Sequence, residues 1–175
     1  MSSAQVAKPV SPDAVVEFER YEAYATAAYS SANQVKGSSA LVGFDVGASA
    51  KLKKWFGGTV DFGDYSISSL SSGHVHPTMT TFLAGPEFYI PADNLTAFVH
   101  VMFGGAHTGG VSIGPDVSFA YAAGGGFEYF VSKRLAIRVS GDGIRSSFTT
   151  VPLEPADSPH ARLNARATGG IAYRF

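Results

Sequence analysis

The chain closes on Thr168-Gly169-Gly170-Ile171-Ala172-Tyr173-Arg174-Phe175. Counted back from Phe175, one row runs Tyr173, Ile171, Gly169, Ala167, Ala165 and Leu163. The other runs Arg174, Ala172, Gly170, Thr168, Arg166, Asn164 and Arg162. A strict period of two is a β-strand with one apolar face and one small or polar face. It ends on an aromatic residue, at a place where chains in water ordinarily fray.

The same alternation recurs upstream. Tyr21 to Tyr29, Ala40 to Leu52, Phe56 to Phe62, Phe82 to Ile90, Ala97 to Phe103, Phe119 to Tyr129 and Leu135 to Val139 each place apolar residues at every second position. Pro86 cannot donate to a ladder, so a bulge is expected there. The pattern fades over residues 141–147. Links alternate in length: short at Lys53-Lys54-Trp55, Pro91-Ala92-Asp93-Asn94 and Ser132-Lys133-Arg134, longer over 30–38, 66–78, 107–116 and 149–159. Eight strands joined in this way predict an all-β, eight-stranded antiparallel up-and-down transmembrane β-barrel, with its short turns on the periplasmic side. Residues 1–20 read as a lead-in on that side, with a short helix over 13–20. Residues 21–175 read as the barrel.

Composition agrees with one small barrel. Charged residues are 15% of the 175, hydrophobic residues 45%, and the net charge of −1 offers no basic surface for nucleic acid. With no Cys, disulfides and thiolate metal sites are excluded. No apolar run reaches the ~18 residues of a spanning helix, whereas a spanning strand needs only about 9–11. The start Met1-Ser2-Ser3-Ala4-Gln5 lacks the basic and apolar regions of a signal peptide. For an exported barrel the expectation is that such a peptide has been removed.

Alternation alone does not say which row faces inward. A soluble lipocalin-like barrel would turn the apolar row in and the polar row to water. Here the polar row is mostly Gly, Ser and Ala with few charges, while Lys8, Lys36, Lys53, Lys54 and Lys133 fall at or beyond strand ends. Small residues with a few long charged ones suit the interior of an eight-stranded barrel, which side chains just fill. The apolar row, with aromatics near strand ends, suits lipid. Asp45, Asp61, Glu87, Glu128, Arg138, Asp142, Arg162 and Arg166 then form a lumenal charge network, because a charge there must be paired or wet. Glu128 and Arg138 lie on adjacent strands across a short turn and are expected to pair.

The spacing of Thr168, Gly170, Tyr173 and Phe175 resembles the terminal signal of bacterial outer-membrane β-barrels, which the barrel-assembly machinery reads. Ala123-Gly124-Gly125-Gly126-Phe127-Glu128-Tyr129, a short turn and Leu135-Ala136-Ile137-Arg138 resemble the transmembrane domain of outer membrane protein A. Lys54-Trp55-Phe56-Gly57, Phe82-Leu83-Ala84-Gly85-Pro86, Phe98-Val99-His100 and Phe103-Gly104-Gly105-Ala106-His107 resemble small outer-membrane barrels of the same superfamily. The resemblance implies a monomer among outer-membrane lipid and lipopolysaccharide, with no cofactor and no catalytic residues. It also implies that Glu128 and Arg138 form a salt-bridge plug that can switch and let small ions leak.

Other chemistry is thin. His74 and His76 share one stretch without a third ligand. His100 near Ser140, Asp142 or Glu87 imitates a Ser-His-acid set, and His107 with Ser112 is the one pair near a rim. Gly109-Gly110 and Gly124-Gly125-Gly126 lack the Lys-Ser/Thr of a phosphate loop and suit close packing in a barrel wall. The expected role is structural, with the long loops contacting an unknown extracellular partner and the polar lumen plugged. The competing readings are a small passive pore, a lipid-modifying barrel enzyme and a soluble binding barrel.

Overall fold

A strand whose outer face is apolar needs a partner for every backbone N–H and C=O, because water cannot supply one there. The computed structural model, which describes residues 19–32, 39–67, 77–110, 113–146 and 162–175, meets this need by closure. Its strands are β1 (Tyr21–Ala32), β2 (Ser39–Lys53), β3 (Phe56–Ile67), β4 (Pro77–Ala92), β5 (Leu95–Gly110), β6 (Ile113–Phe130), β7 (Leu135–Ser146) and β8 (Arg162–Arg174). Each pairs with the next, all antiparallel, and β1 pairs with β8 from Glu22↔Arg174 to Ser30↔Arg166. The strands thus close an up-and-down transmembrane barrel. The seam is sealed down to the chain end, where the Phe175 amide donates to the Tyr21 carbonyl at 3.0 Å.

The outer surface carries the apolar row. Tyr29, Phe44, Phe82, Val99, Phe119, Ile137 and Ile171 all stand exposed, and Ile90 reaches 68% exposure. The inner row is buried, charged residues included: Glu87 and Glu128 are fully covered. This is the opposite of a soluble barrel, whose apolar row would be the covered one.

Three expectations need correction. Pro86 sits in an unbulged stretch: Ala84↔Phe103 and Glu87↔His100 share one register, and the ladder to β5 lapses only in between. On its other side Pro86 faces Gly58, which offers no side chain to clash. The shifts lie instead between Lys51 and Lys53 and between Thr108 and Gly110. The glycine-rich segment 107–116 is mostly strand, paired through Thr108↔Asp116 and Gly110↔Ile113, so only 111–112 separate β5 from β6. Glycine's local preference for turns yields here to a ladder that continues from both sides. Residues 141–146 do not lose the alternation, which β7 keeps to Ser146 while the chemistry of its two faces changes; residue 147 lies outside the described ones. Ile144 points inward, buried, and Arg145 points outward, where its Nη1 donates to the Tyr121 hydroxyl at 3.4 Å. β3 and β4 do the same, with Tyr65 inward and Thr80 donating to outward Asp64 at 3.0 Å. Polar side chains thus enter the outer row at this end, beside Phe119, Val117 and Leu163, which remain exposed.

The proposed helix over 13–20 falls mainly on residues outside the described ones, and Glu19 and Arg20 are not helical. The connections over 33–38, 68–76 and 147–161, with His74 and His76, lie outside the described residues as well.

Glycines in the inner row let the largest lumenal side chains lie across the bore. A Cβ on Gly47 would run into the Tyr24 phenol, and one on Gly124 into the Asp142 carboxylate and the β7 backbone. Replacing Gly47 by leucine is expected to destabilise the barrel by about 1–3 kcal/mol, the usual cost of overpacking. A lower urea midpoint for loss of the folded, heat-modifiable band on a gel checks this.

Candidate functional site

The inner row converts sequence parity into two charge clusters. Arg138 is the hub of the first, near the short-turn end. Its Nη2 donates to Glu87 Oε1 at 2.9 Å, and its Nη1 donates to Glu22 Oε1 at 3.3 Å and to Glu128. Glu128 and Arg138 are direct cross-strand partners, as their spacing suggested. The guanidinium lies 3.8 Å from the Phe98 ring centroid and 4.4 Å from that of Tyr24, so aromatic faces cover it where carboxylates do not. Arg174 completes the cluster: Nε donates to Glu22 Oε2 at 2.7 Å, Nη2 to Glu128 Oε2 at 2.8 Å, and its plane lies 3.7 Å from the Phe130 centroid. Lys51 Nζ is 3.8 Å from Glu22 Oε2 and 4.5 Å from the Tyr89 ring. Three carboxylates thus meet three cations.

The second cluster forms around Arg166, deeper in the bore. Its Nε donates to Asp142 Oδ2 at 2.9 Å. Its Nη1 reaches Asp61 Oδ1 at 2.9 Å, Asp45 Oδ1 at 3.1 Å and the Tyr65 hydroxyl at 2.8 Å. Tyr65 in turn donates to Asp45. His100 Nε2 lies 2.6 Å from Asp142 Oδ1, while His100 Nδ1 and Asp45 Oδ2 find no protein partner. A chain of hydroxyls joins the clusters: Ser49 donates to Glu87 Oε2 at 3.1 Å and lies 3.1 Å from Thr59 Oγ1, which is 3.5 Å from the Tyr24 hydroxyl, and Tyr24 donates to Asp61 Oδ2 at 3.0 Å. Between the two hubs lies a cavity of about 10 Å³, lined among others by Tyr24, Asp61 and His100, about the room that one water requires.

Beyond the second cluster, toward the long connections, the inner row mixes apolar side chains with the buried Ser30, Thr81, Ser118, Ser146 and Asn164. Leu83, Met102, Ala106, Ala120, Ala122 and Ile144 form one packed group on β4 to β7, and Ala28, Leu41, Tyr65 and Met79 another on β1 to β4.

Of the eight charges expected in the lumen, Asp45, Asp61, Glu87, Glu128, Arg138, Asp142 and Arg166 are buried there. The side chain of Arg162 lies outside the described residues. Glu22, Lys51, Arg174 and His100 belong to the clusters too. All four share the inner parity, which was the available signal. His100 does not complete a Ser-His-acid set: the Ser140 hydroxyl faces Thr168 Oγ1 at 2.7 Å. His107 is exposed on the outer face, and Ser112 lies outside the described residues. Of the terminal signal residues, Tyr173 and Phe175 point outward from β8 and its end, while Thr168 and Gly170 lie on the inner row.

These features define a class, the small transmembrane β-barrel with a charged inner row. No family model matches the sequence, and neither does any curated protein sequence. The fold is that of the small outer-membrane β-barrels. Neisserial surface protein A superposes with a TM-score of 0.65 at 11% identity, over 89% of this chain and 96% of that one. The N-terminal β-barrel domain of OprF from Pseudomonas aeruginosa gives 0.53 at 16%, over 88% and 97%. Ail, the attachment invasion locus protein of Yersinia pestis, crystallised with the heparin analogue sucrose octasulfate, gives 0.50 at 16%, over 89% and 97%.

Removing the second hub tests its role. Arg166→Met leaves Asp45, Asp61 and Asp142 facing one another without their cation, at an expected cost of about 3–5 kcal/mol. Arg166→Lys restores the charge but not the fork, and is expected to recover part of it. Urea midpoints of the two variants against wild type measure both effects.

Proposed function

We propose that the protein is an integral barrel of a bacterial outer membrane with a structural and surface-contact role and a plugged lumen. The observation that carries this reading is the Arg138 site, where a guanidinium bound to three carboxylates and flanked by two rings reaches across the bore. The packed inner row beyond it supports the same reading. On this reading the short turns and residues 1–20 face the periplasm, and residues 33–38, 68–76, 111–112 and 147–161 face outward. The chain is a monomer embedded in lipid and lipopolysaccharide. Thr168, Gly170, Tyr173 and Phe175 are its address to the barrel-assembly machinery. The shared fold of Ail, solved with a heparin analogue, supports a surface-contact role for the outward connections. The protein is not an enzyme on this reading, for the buried His100–Asp142 pair has no serine aimed at it.

The rival reading, a small passive pore, makes Arg138 a gate. In planar bilayers the purified barrel is expected to show no conductance steps above baseline, and Arg138→Ala is expected to stay silent because the packed groups around Ile144 and Tyr65 remain. Discrete openings in wild type would replace the plugged reading with the pore, and openings confined to the variant would make the ionic cluster the sole seal.

A further inference from the structure

The short-turn end of the barrel carries a charge pattern that neither wall nor plug requires. The β2–β3 turn presents Lys53 and Lys54, the β6–β7 turn Lys133 and Arg134, and Arg20 precedes β1; all five are exposed. The exposed acids described at this end are Glu19 and Asp93. In a closed ring of eight strands the two basic turns stand on opposite sides. The cations therefore do not merge into one patch that would seat a compact acidic protein; they flank the rim.

Each basic pair adjoins outward apolar side chains. Leu52, at 72% exposure, and Trp55 bracket Lys53 and Lys54, while Val131 and Leu135 bracket Lys133 and Arg134. Trp55 stacks on Phe88 with centroids 6.3 Å apart, and Lys53 Nζ lies 5.4 Å from the Trp55 ring. An apolar residue held in hydrocarbon with a cation one or two positions away places that cation at headgroup depth. Beside the second pair, a groove of about 780 Å³ opens between the β4–β5 and β6–β7 turns. Lys133, Ser132, Asn94 and Tyr129 are among its lining residues. That volume is in the range of small-molecule sites, with Lys133, the Asn94 amide, the Ser132 hydroxyl and the Asp93 carboxylate on its polar side and the Tyr129 ring on the other.

We propose that this rim binds the headgroups of anionic phospholipids, of the phosphatidylglycerol type, in the leaflet that the short turns face. The inference rests on the reading of the barrel as membrane-spanning and adds the lipid class and the residues that select it. The phosphate is the counter-ion of the Lys53–Lys54 and Lys133–Arg134 pairs, and the acyl chains lie along Leu52, Trp55 and Val131.

The test is native mass spectrometry of the full chain, released from micelles doped equally with phosphatidylglycerol and phosphatidylcholine. Wild type is expected to retain the anionic lipid on the order of tenfold over the zwitterionic one, given the attraction of each basic residue for an anionic surface. The preference should shrink in high salt. The quadruple variant K53Q/K54Q/K133Q/R134Q should lose the preference while keeping the heat-modifiable gel shift. Should it fail to fold, the paired variants K53Q/K54Q and K133Q/R134Q should each lose part of it. Equal retention of both lipids by wild type, or an undiminished preference in the folded variants, overturns the proposal. A chain that is folded and monodisperse without detergent instead overturns the membrane reading, and the lipid proposal with it.

Discussion

The structure depends on one constraint: eight strands enclose a bore that side chains just fill, so charge on the inner row must be neutralised inside it. Arg138 and Arg166 meet that constraint as hubs. Each gathers three carboxylates from strands on different sides of the barrel, and each is therefore also a cross-brace. The first hub has Arg174 and Lys51 to balance the count, and the rings of Tyr24 and Phe98 beside its guanidinium. In the second, His100 approaches Asp142 while the Tyr65 hydroxyl links Arg166 to Asp45.

The wall makes room for these hubs through its glycines. Tyr24 can lie across the bore because Gly47 faces it without a Cβ, and Asp142 can approach β6 because Gly124 does the same. A lumen of uniformly medium side chains would have filled the same volume without leaving any guanidinium a path to three partners. The small inner row and the long charged residues are two halves of one arrangement.

The faces exchange character along the strands. Through most of their length the outer row is apolar and the inner row charged. Near the long connections Ile144 and Tyr65 turn inward while Arg145 and Asp64 turn outward. The aromatic stacks of Trp55 with Phe88 and of Tyr21 with Phe175 stand at the opposite end.

The alternation, and with it the strands, the barrel and the inner row, was legible in the sequence because parity is a local property of an extended chain. So was the pairing of Glu128 with Arg138, ten residues apart across a short turn. The partners of Arg166 were not legible: Asp61 and Asp45 stand 105 and 121 residues away, and only the closure of β1 on β8 brings them within reach. Segment 107–116 was misread because its glycines signal a turn locally, while the ladders on either side extend the strands through it. Pro86 looked like a fault because the sequence does not say that Gly58 would be its neighbour. The sequence by itself determined which residues share a face. The tertiary structure decided which of them meet, because register and closure, not spacing along the chain, set distances inside a barrel.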